Sequence, residues 1–423
     1  MDYIERVVGR EILNARGKPT VEAELISKNG IRVLASVPSG TSAGKYEAYE
    51  LYDGQKRYGG YGTRKAAANI SEEISDRLQG IELANQKAID SILCELDGTD
   101  NKSRLGANAI LAVSVAAAKA GAQEKQIPVY RYLAGQKYGV GSQLELPDIV
   151  ATVIAGGVFS DSGLEFEDYM AIFHGFSSFR DELEALVSLR LTLERRLKEK
   201  YGVFPEDGGA LAPPLENTEE AFRWILETAN ELGYKQHVSL GLDVAASELW
   251  NDAEQAYLLK RRKDGKSLEE KVSSKKLAEY YQNLCKRYPL KFIEDGFEQD
   301  AFQSFAELRS ALPGVQIVGD DLFVSNVKRL RKGIACHAAN GLLLKINQIG
   351  TVTEAMEAAA LAEKNGYDVI VSLRSGETTD DFIADLAVAV GAKQIKLGSP
   401  VRAERNVKYN RLLRIEEELR EEK

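Results

Sequence analysis

The chain has 423 residues, 44% of them hydrophobic and 28% charged, and its formal net charge is −9. That size and composition support substantial cores in two domains, while an acidic chain without a basic cluster argues against nucleic-acid binding. Cys94, Cys285 and Cys336 lie far apart and form no C-x-x-C pair, so neither a zinc ribbon nor a disulfide framework is expected.

The N-terminus, "MDYIERVVGREI", is charged and has no signal-peptide core. "PTVEAELIS" alternates apolar and polar residues, "KNG" turns, and "IRVLASV" returns, which predicts a β-hairpin. The Gly/Ser-rich loop "PSGTSAGKYEA" follows, then helical patterns in "RKAAANISEEISDRLQ", "NQKAIDSILCELDG" and "LGANAILAVSVAAAKAGAQEK". The last of these contains the most apolar stretch, residues 107–122, which is too short and too weakly apolar to span a bilayer. No membrane association and a cytoplasmic location are expected. Residues 1–135 thus predict a small α+β domain, and 136–423 a second domain of another kind.

In that second domain short apolar runs each end in a polar residue: "HVSLGLDVAASE", "LKFIEDGF", "VQIVGDDL", "GLLLKINQ", "YDVIVSLRS" and "KQIKLGS". From Ile293 through Ile317, Leu343 and Val369 to Ile395 they recur about every 25 residues, one strand plus one helix. Repeated units of this kind predict an α/β fold with a parallel sheet buried on both faces, favouring a closed barrel over an open doubly wound sheet. The final stretch, "NVKYNRLLRIEEELREEK", predicts an amphipathic surface helix.

The strand ends give Asp243, Glu294, Asp320, Lys345, Arg374 and Lys396. In barrels the functional groups gather at the C-terminal ends of the strands. Three carboxylates converging on one spot repel one another unless a cation sits between them, and oxygen donors of this kind suit Mg²⁺ or Mn²⁺ rather than zinc. The plain alternative is that each acid caps the following helix. Lys345 ends an apolar run where burial of a charge is costly. Near a dication and other lysines its pKa is expected to fall, making it a general base; a salt bridge to one of the acids competes with that role. His174, His237 and His337 match no catalytic or metal motif.

With "REILNARGKPTVEAE", "VPSGTSAGKYEAYELYDG", "LDGTDNKSRLGANAIL", "GLDVAASE", "FIEDGF", "IVGDDLFVSN", "LLLKINQIGTVTEA", "RSGETTDDFIADLAV" and "KYNRLLRIEEEL", the chain resembles the enolase family over essentially its whole length. The resemblance implies a small α+β domain followed by a modified eight-stranded (β/α) barrel, a homodimer with "REILNARG" at its interface, and two Mg²⁺ ions, with Mn²⁺ as a substitute. It implies reversible dehydration of 2-phosphoglycerate, a small phosphorylated carboxylic acid, to phosphoenolpyruvate; general principles already give this superfamily a lysine base assisted by Mg²⁺. It further implies Asp243, Glu294 and Asp320 as ligands of the first magnesium and Ser39 as a loop ligand of the second. Lys345 matches the base, Lys396 the stabiliser of the substrate carboxylate, and Arg374 with Ser375 the phosphate-binding pair.

The chain departs from the family on the side of the site that handles the leaving group and phosphate. Phe159 and Leu373 stand where histidines are expected. The family's "QEF" is "EDY" here (167–169), which places Asp168 at a glutamate position. "DEGGFAP" is "EDGGALAP", so Asp207 replaces the glutamate that acts as general acid. A carboxyl drawn back by one methylene matters, since misplacement by about 1 Å can cost about a hundredfold in rate. The alternatives are therefore a paralogue that acts on another 2-hydroxy or phosphorylated acid, and a silent protein that binds metal and anions.

Overall fold

The hairpin pattern opens the fold. β1 (Ile4–Leu13), β2 (Pro19–Ser27) and β3 (Arg32–Ser36) form an antiparallel sheet with β2 at its centre. The computed structural model describes residues 1–421 apart from 41–43, 55, 140–143, 161 and 264–265. Val21, Ala23 and Leu25 of β2 are fully buried and pack beneath α1 (Ala107–Lys125). Residues Ala107 to Ala118 of α1 are buried on every side, which explains a helix apolar all round: it is the core of this domain. No helix among the described residues is long and apolar enough to cross a membrane.

Eight strands then close into a barrel: β4 (Asp148–Ala155), β5 (Asp168–Phe173), β6 (Val238–Asp243), β7 (Leu290–Glu294), β8 (Gln316–Gly319), β9 (Gly341–Leu344), β10 (Asp368–Ser372) and β11 (Gln394–Lys396). Neighbouring strands follow one another in sequence, and β11 pairs with β4 to complete the ring. The predicted parallel barrel is present with one change. β5 runs antiparallel to both β4 and β6, so its first residue, not its last, lies at the mouth where the other strands end.

Register then decides what occupies the mouth. Val150, Met170, Ile172, Phe292, Val318, Leu343 and Ile370 fill the barrel interior. Side chains on a strand alternate between faces, so the residue two further on points the same way. Two beyond Phe292, Val318 and Leu343 stand Glu294, Asp320 and Lys345; two beyond Val150 and Ile370 stand Thr152 and Ser372. On reversed β5 the matching position is two before Met170, Asp168. Lys345 therefore stands one layer above Leu343 on the same inward face.

At the lower end of the barrel, Glu182 of α2 (Phe179–Tyr201) accepts the Ile149 N–H of β4 at 2.6 Å. Burial pushes its carboxyl up from 4.5 to about 8, and Asp148 adds to the rise against the opposing Ile149 hydrogen bond. Between those pH values the folded chain binds a proton that the unfolded chain releases, so this group makes stability fall as pH rises through the window. Glu182→Gln keeps an acceptor for Ile149 and is expected to abolish that share of the decline, on the order of a few kcal/mol. Urea midpoints at pH 6 and pH 9 check it; an equal decline in the variant would contradict it.

Candidate active site at the barrel mouth

The mouth encloses a cavity of about 110 Å³, small beside the ~300–1,000 Å³ clefts of drug-sized ligands. Asp168, Asp207, Asp243, Asp320, Lys345, Arg374, Ser375 and Lys396 all line it. Glu294 sits beneath, fully buried, at 2.8 Å from Lys396. Lys396 also bonds Asp243 at 2.7 Å and lies 3.4 Å from Asp168. Burial alone would lower its pKa, but Asp243, Glu294 and Asp168 together hold it well above the ordinary lysine value.

Lys345 pairs with Asp320. Burial is the largest single influence and opposes its charge, yet Asp320 and Glu294 together raise the ammonium above its usual value. The salt bridge to Asp320, the competing role, is what the folded chain forms. Asp320 in turn is held below the usual carboxylate value despite its burial, by Lys345 and Arg374, and it accepts Gln348 Nε2–H at 2.7 Å. Arg374 is buried, with its guanidinium 2.9 Å from Glu47.

Ser39 does not line the cavity: its hydroxyl accepts Asn14 Nδ2–H at 2.7 Å, and its backbone pairs with Gly376. Among the described residues Asp295, Asp320 and Asp321 form a compact carboxylate cluster beside Asp243 and Glu294, with ligand atoms within 4.8 Å of one another. Both Asp295 oxygens accept backbone N–H groups, from Asp320 at 2.9 Å and Asp321 at 2.7 Å, and so fix the turn that aims the other two acids. Burial raises Asp321 to about 7.

These acids fit a hard dication. Glu294 Oε1 is buried with no hydrogen-bond partner, and burial with the neighbouring Asp243 pushes the carboxyl far above its ordinary value. An orphaned acceptor among all-oxygen donors is consistent with Mg²⁺.

The wall opposite is built by a short hairpin, Glu206–Asp207 with Ala210–Leu211, and by a loop from the first domain. Asp207 pairs with Arg16 at 3.0 Å. Asp168 accepts Thr152 Oγ1–H at 2.9 Å, and burial raises its carboxyl although Lys396 opposes the rise. Leu373 makes part of the wall apolar; the Phe159 side chain falls outside the described set. Arg16, Glu47, Glu167, Asp321 and Arg405 also line the cavity and were not singled out from sequence. The doubled acids in "FIEDGF" and "VGDD" were the visible signal for Asp295 and Asp321.

Sequence comparison agrees with this geometry. The family profile described as "Enolase, C-terminal TIM barrel domain" matches residues 143–423, and "Enolase, N-terminal domain" matches residues 4–133. The chain belongs to the enolase family. It is 46% identical to the enolase of Methanopyrus kandleri, covering 99% of this chain and 96% of that one. It is 47% identical to the enolase of Pyrococcus furiosus, covering 98% and 94% of the two chains. The enolase of Methanocaldococcus jannaschii is 46% identical, with 98% and 95% covered. The chain is thus an enolase-type hydro-lyase with a metal-binding carboxylate site.

Proposed function

We propose that this lyase interconverts 2-phosphoglycerate and phosphoenolpyruvate. The observation that carries the proposal is the inward register that sets Lys345 beside the acid layer, with Arg374 on the same cavity. Asp243, Glu294 and Asp320 would hold Mg²⁺, with a second ion at the same mouth. Mg²⁺ supplies positive charge that offsets these carboxylates and the charge developing on the substrate carboxylate. Arg374, oriented by Glu47, offers its fork to the phosphate. Lys345 Nζ removes the α-proton, which requires its ion pair with Asp320 to loosen so that the nitrogen presents a lone pair. Lys396 faces the substrate carboxylate from across the acid layer, and Asp168 and Asp207 border the leaving oxygen. The same proposal includes a homodimer, checked by sedimentation.

Incubating the chain with 2-phosphoglycerate and Mg²⁺ is expected to give a rise in ultraviolet absorbance from phosphoenolpyruvate that chelation removes. No rise at high protein and Mg²⁺ would reject the assignment. A second reading, a different 2-hydroxy or phosphorylated acid, is favoured by the apolar Leu373 in the cavity wall; α-proton exchange in D₂O across a set of such acids separates the two.

The Asp320–Asp321 turn offers a local check. Asp295→Ala leaves the two N–H groups without acceptors, and Mg²⁺ affinity is expected to fall about 10–100-fold. Titration calorimetry measures it; unchanged affinity would show that the turn holds without Asp295.

A further inference from the structure

We propose that Glu167 is the proton donor to the leaving oxygen, an assignment that rests on the lyase reaction proposed above. The barrel's topology supplies the geometry. Lys345 follows β9 and Glu167 precedes β5, and these strands stand four apart in either direction around the ring of eight. Base and donor therefore face each other across one small cavity that both line. An elimination needs that arrangement: one group takes the α-proton while another, on the opposite side, protonates the departing oxygen.

The backbone at Glu167 is pinned. Its carbonyl accepts the Gly156 N–H at 2.7 Å. Gly157, at φ +63°, packs so closely behind it that an added Cβ would lie 3.0 Å from the Glu167 Cα. The other two acids on this wall are committed as acceptors, Asp207 to Arg16 and Asp168 to Thr152 and Lys396. No described residue donates a hydrogen bond to the Glu167 carboxyl. Its neighbours in charge are Asp243 and Asp168, and burial, followed by those two acids, holds it well above the ordinary glutamate value despite Lys396 and Lys345. Among the described residues no cation lies at ion-pair distance from this carboxyl.

The resemblance places a glutamine at this position in the family. An amide cannot release the proton; a glutamic acid can. Glu167 also has one methylene more than Asp168 and Asp207, so it restores reach on the wall where two acids are shortened. The step balances. The Cα–H pair becomes the new C=C bond as Lys345 takes the proton. The C–O bond breaks with its electrons going to oxygen, and the Glu167 proton joins that oxygen to give water. Lys345 is left as ammonium and Glu167 as carboxylate, and exchange with solvent resets both.

The test uses the full chain with Mg²⁺ and 2-phosphoglycerate in D₂O, following deuterium entry at Cα by NMR and phosphoenolpyruvate by absorbance. Glu167→Gln is expected to keep exchange within about threefold of the unaltered chain while elimination falls by about 10²–10⁴-fold. Glu167→Asp, a donor with shorter reach, is expected to recover part of it. Preserved exchange also shows that the variant is folded. Elimination near the original rate in Glu167→Gln overturns the proposal, and so does an equal loss of exchange and elimination. Absence of exchange in the unaltered chain strikes the lyase reading itself, and is told apart because the failure of the donor assignment alone leaves exchange running.

Discussion

Lys345→Ala is expected to abolish α-proton exchange and to lower turnover of 2-phosphoglycerate by about 10⁴-fold, the upper range for loss of a positioned base. Lys345 sits on the mouth-facing side of β9 directly above Leu343, and its only described carboxylate partner at ion-pair distance is Asp320. Removing the amine leaves Asp320 with Gln348 as a donor, so the acid layer keeps part of its support. The thermal midpoint should move far less than the rate. Lys345→Arg keeps the charge but cannot shed it, since guanidinium stays protonated, and is expected to be as inactive as the alanine variant. Two outcomes would remove Lys345 from the base role: exchange that persists in Lys345→Ala, or turnover in Lys345→Arg.

What the sequence made legible follows from periodicity. Strand ends spaced by one helix-strand unit pointed to Asp243, Glu294, Asp320, Lys345, Arg374 and Lys396, and the folded chain gathers them at one mouth. β4 and β5 escaped the pattern because the segment between them, 156–167, holds among its described residues one short turn of helix, and the chain reverses direction across it. A search confined to C-terminal strand ends could not find Glu167, which stands at the N-terminal side of the one reversed strand. Arg16 and Glu47 come from the first domain, 191 and 327 residues from the groups they hold, and no local spacing encodes such pairs. Strand order likewise named the acids near Lys345 but not which of them its amine touches, Asp320. The contact of Ser39 with Asn14, 25 residues earlier, is a pair of the same kind, made in the fold and not encoded by local spacing.

Lys396→Met should produce the largest loss of stability. The side chain is buried, and it sits between Asp243 at 2.7 Å and Glu294 at 2.8 Å, with Asp168 at 3.4 Å. Methionine fills a similar volume but leaves these carboxylates facing one another without their ammonium. Breaking a buried pair by removing one partner costs about 3–5 kcal/mol, because the remaining charge is uncompensated. The Mg²⁺-free variant is therefore expected to melt well below the unaltered chain. A ligand that binds only the folded state stabilises it by about 2.7 kcal/mol at a hundred times its dissociation constant. In the variant the cation is the main positive charge left for Asp243 and Glu294, so Mg²⁺ should raise its melting temperature more than it raises that of the unaltered chain. Catalysis should not return with stability, because the amine facing the substrate carboxylate is gone. Melting curves with and without Mg²⁺ decide the matter: if the cation stabilises the variant no more than the unaltered chain, then Asp243 and Glu294 do not hold it, and the acid layer is a network closed by lysine alone.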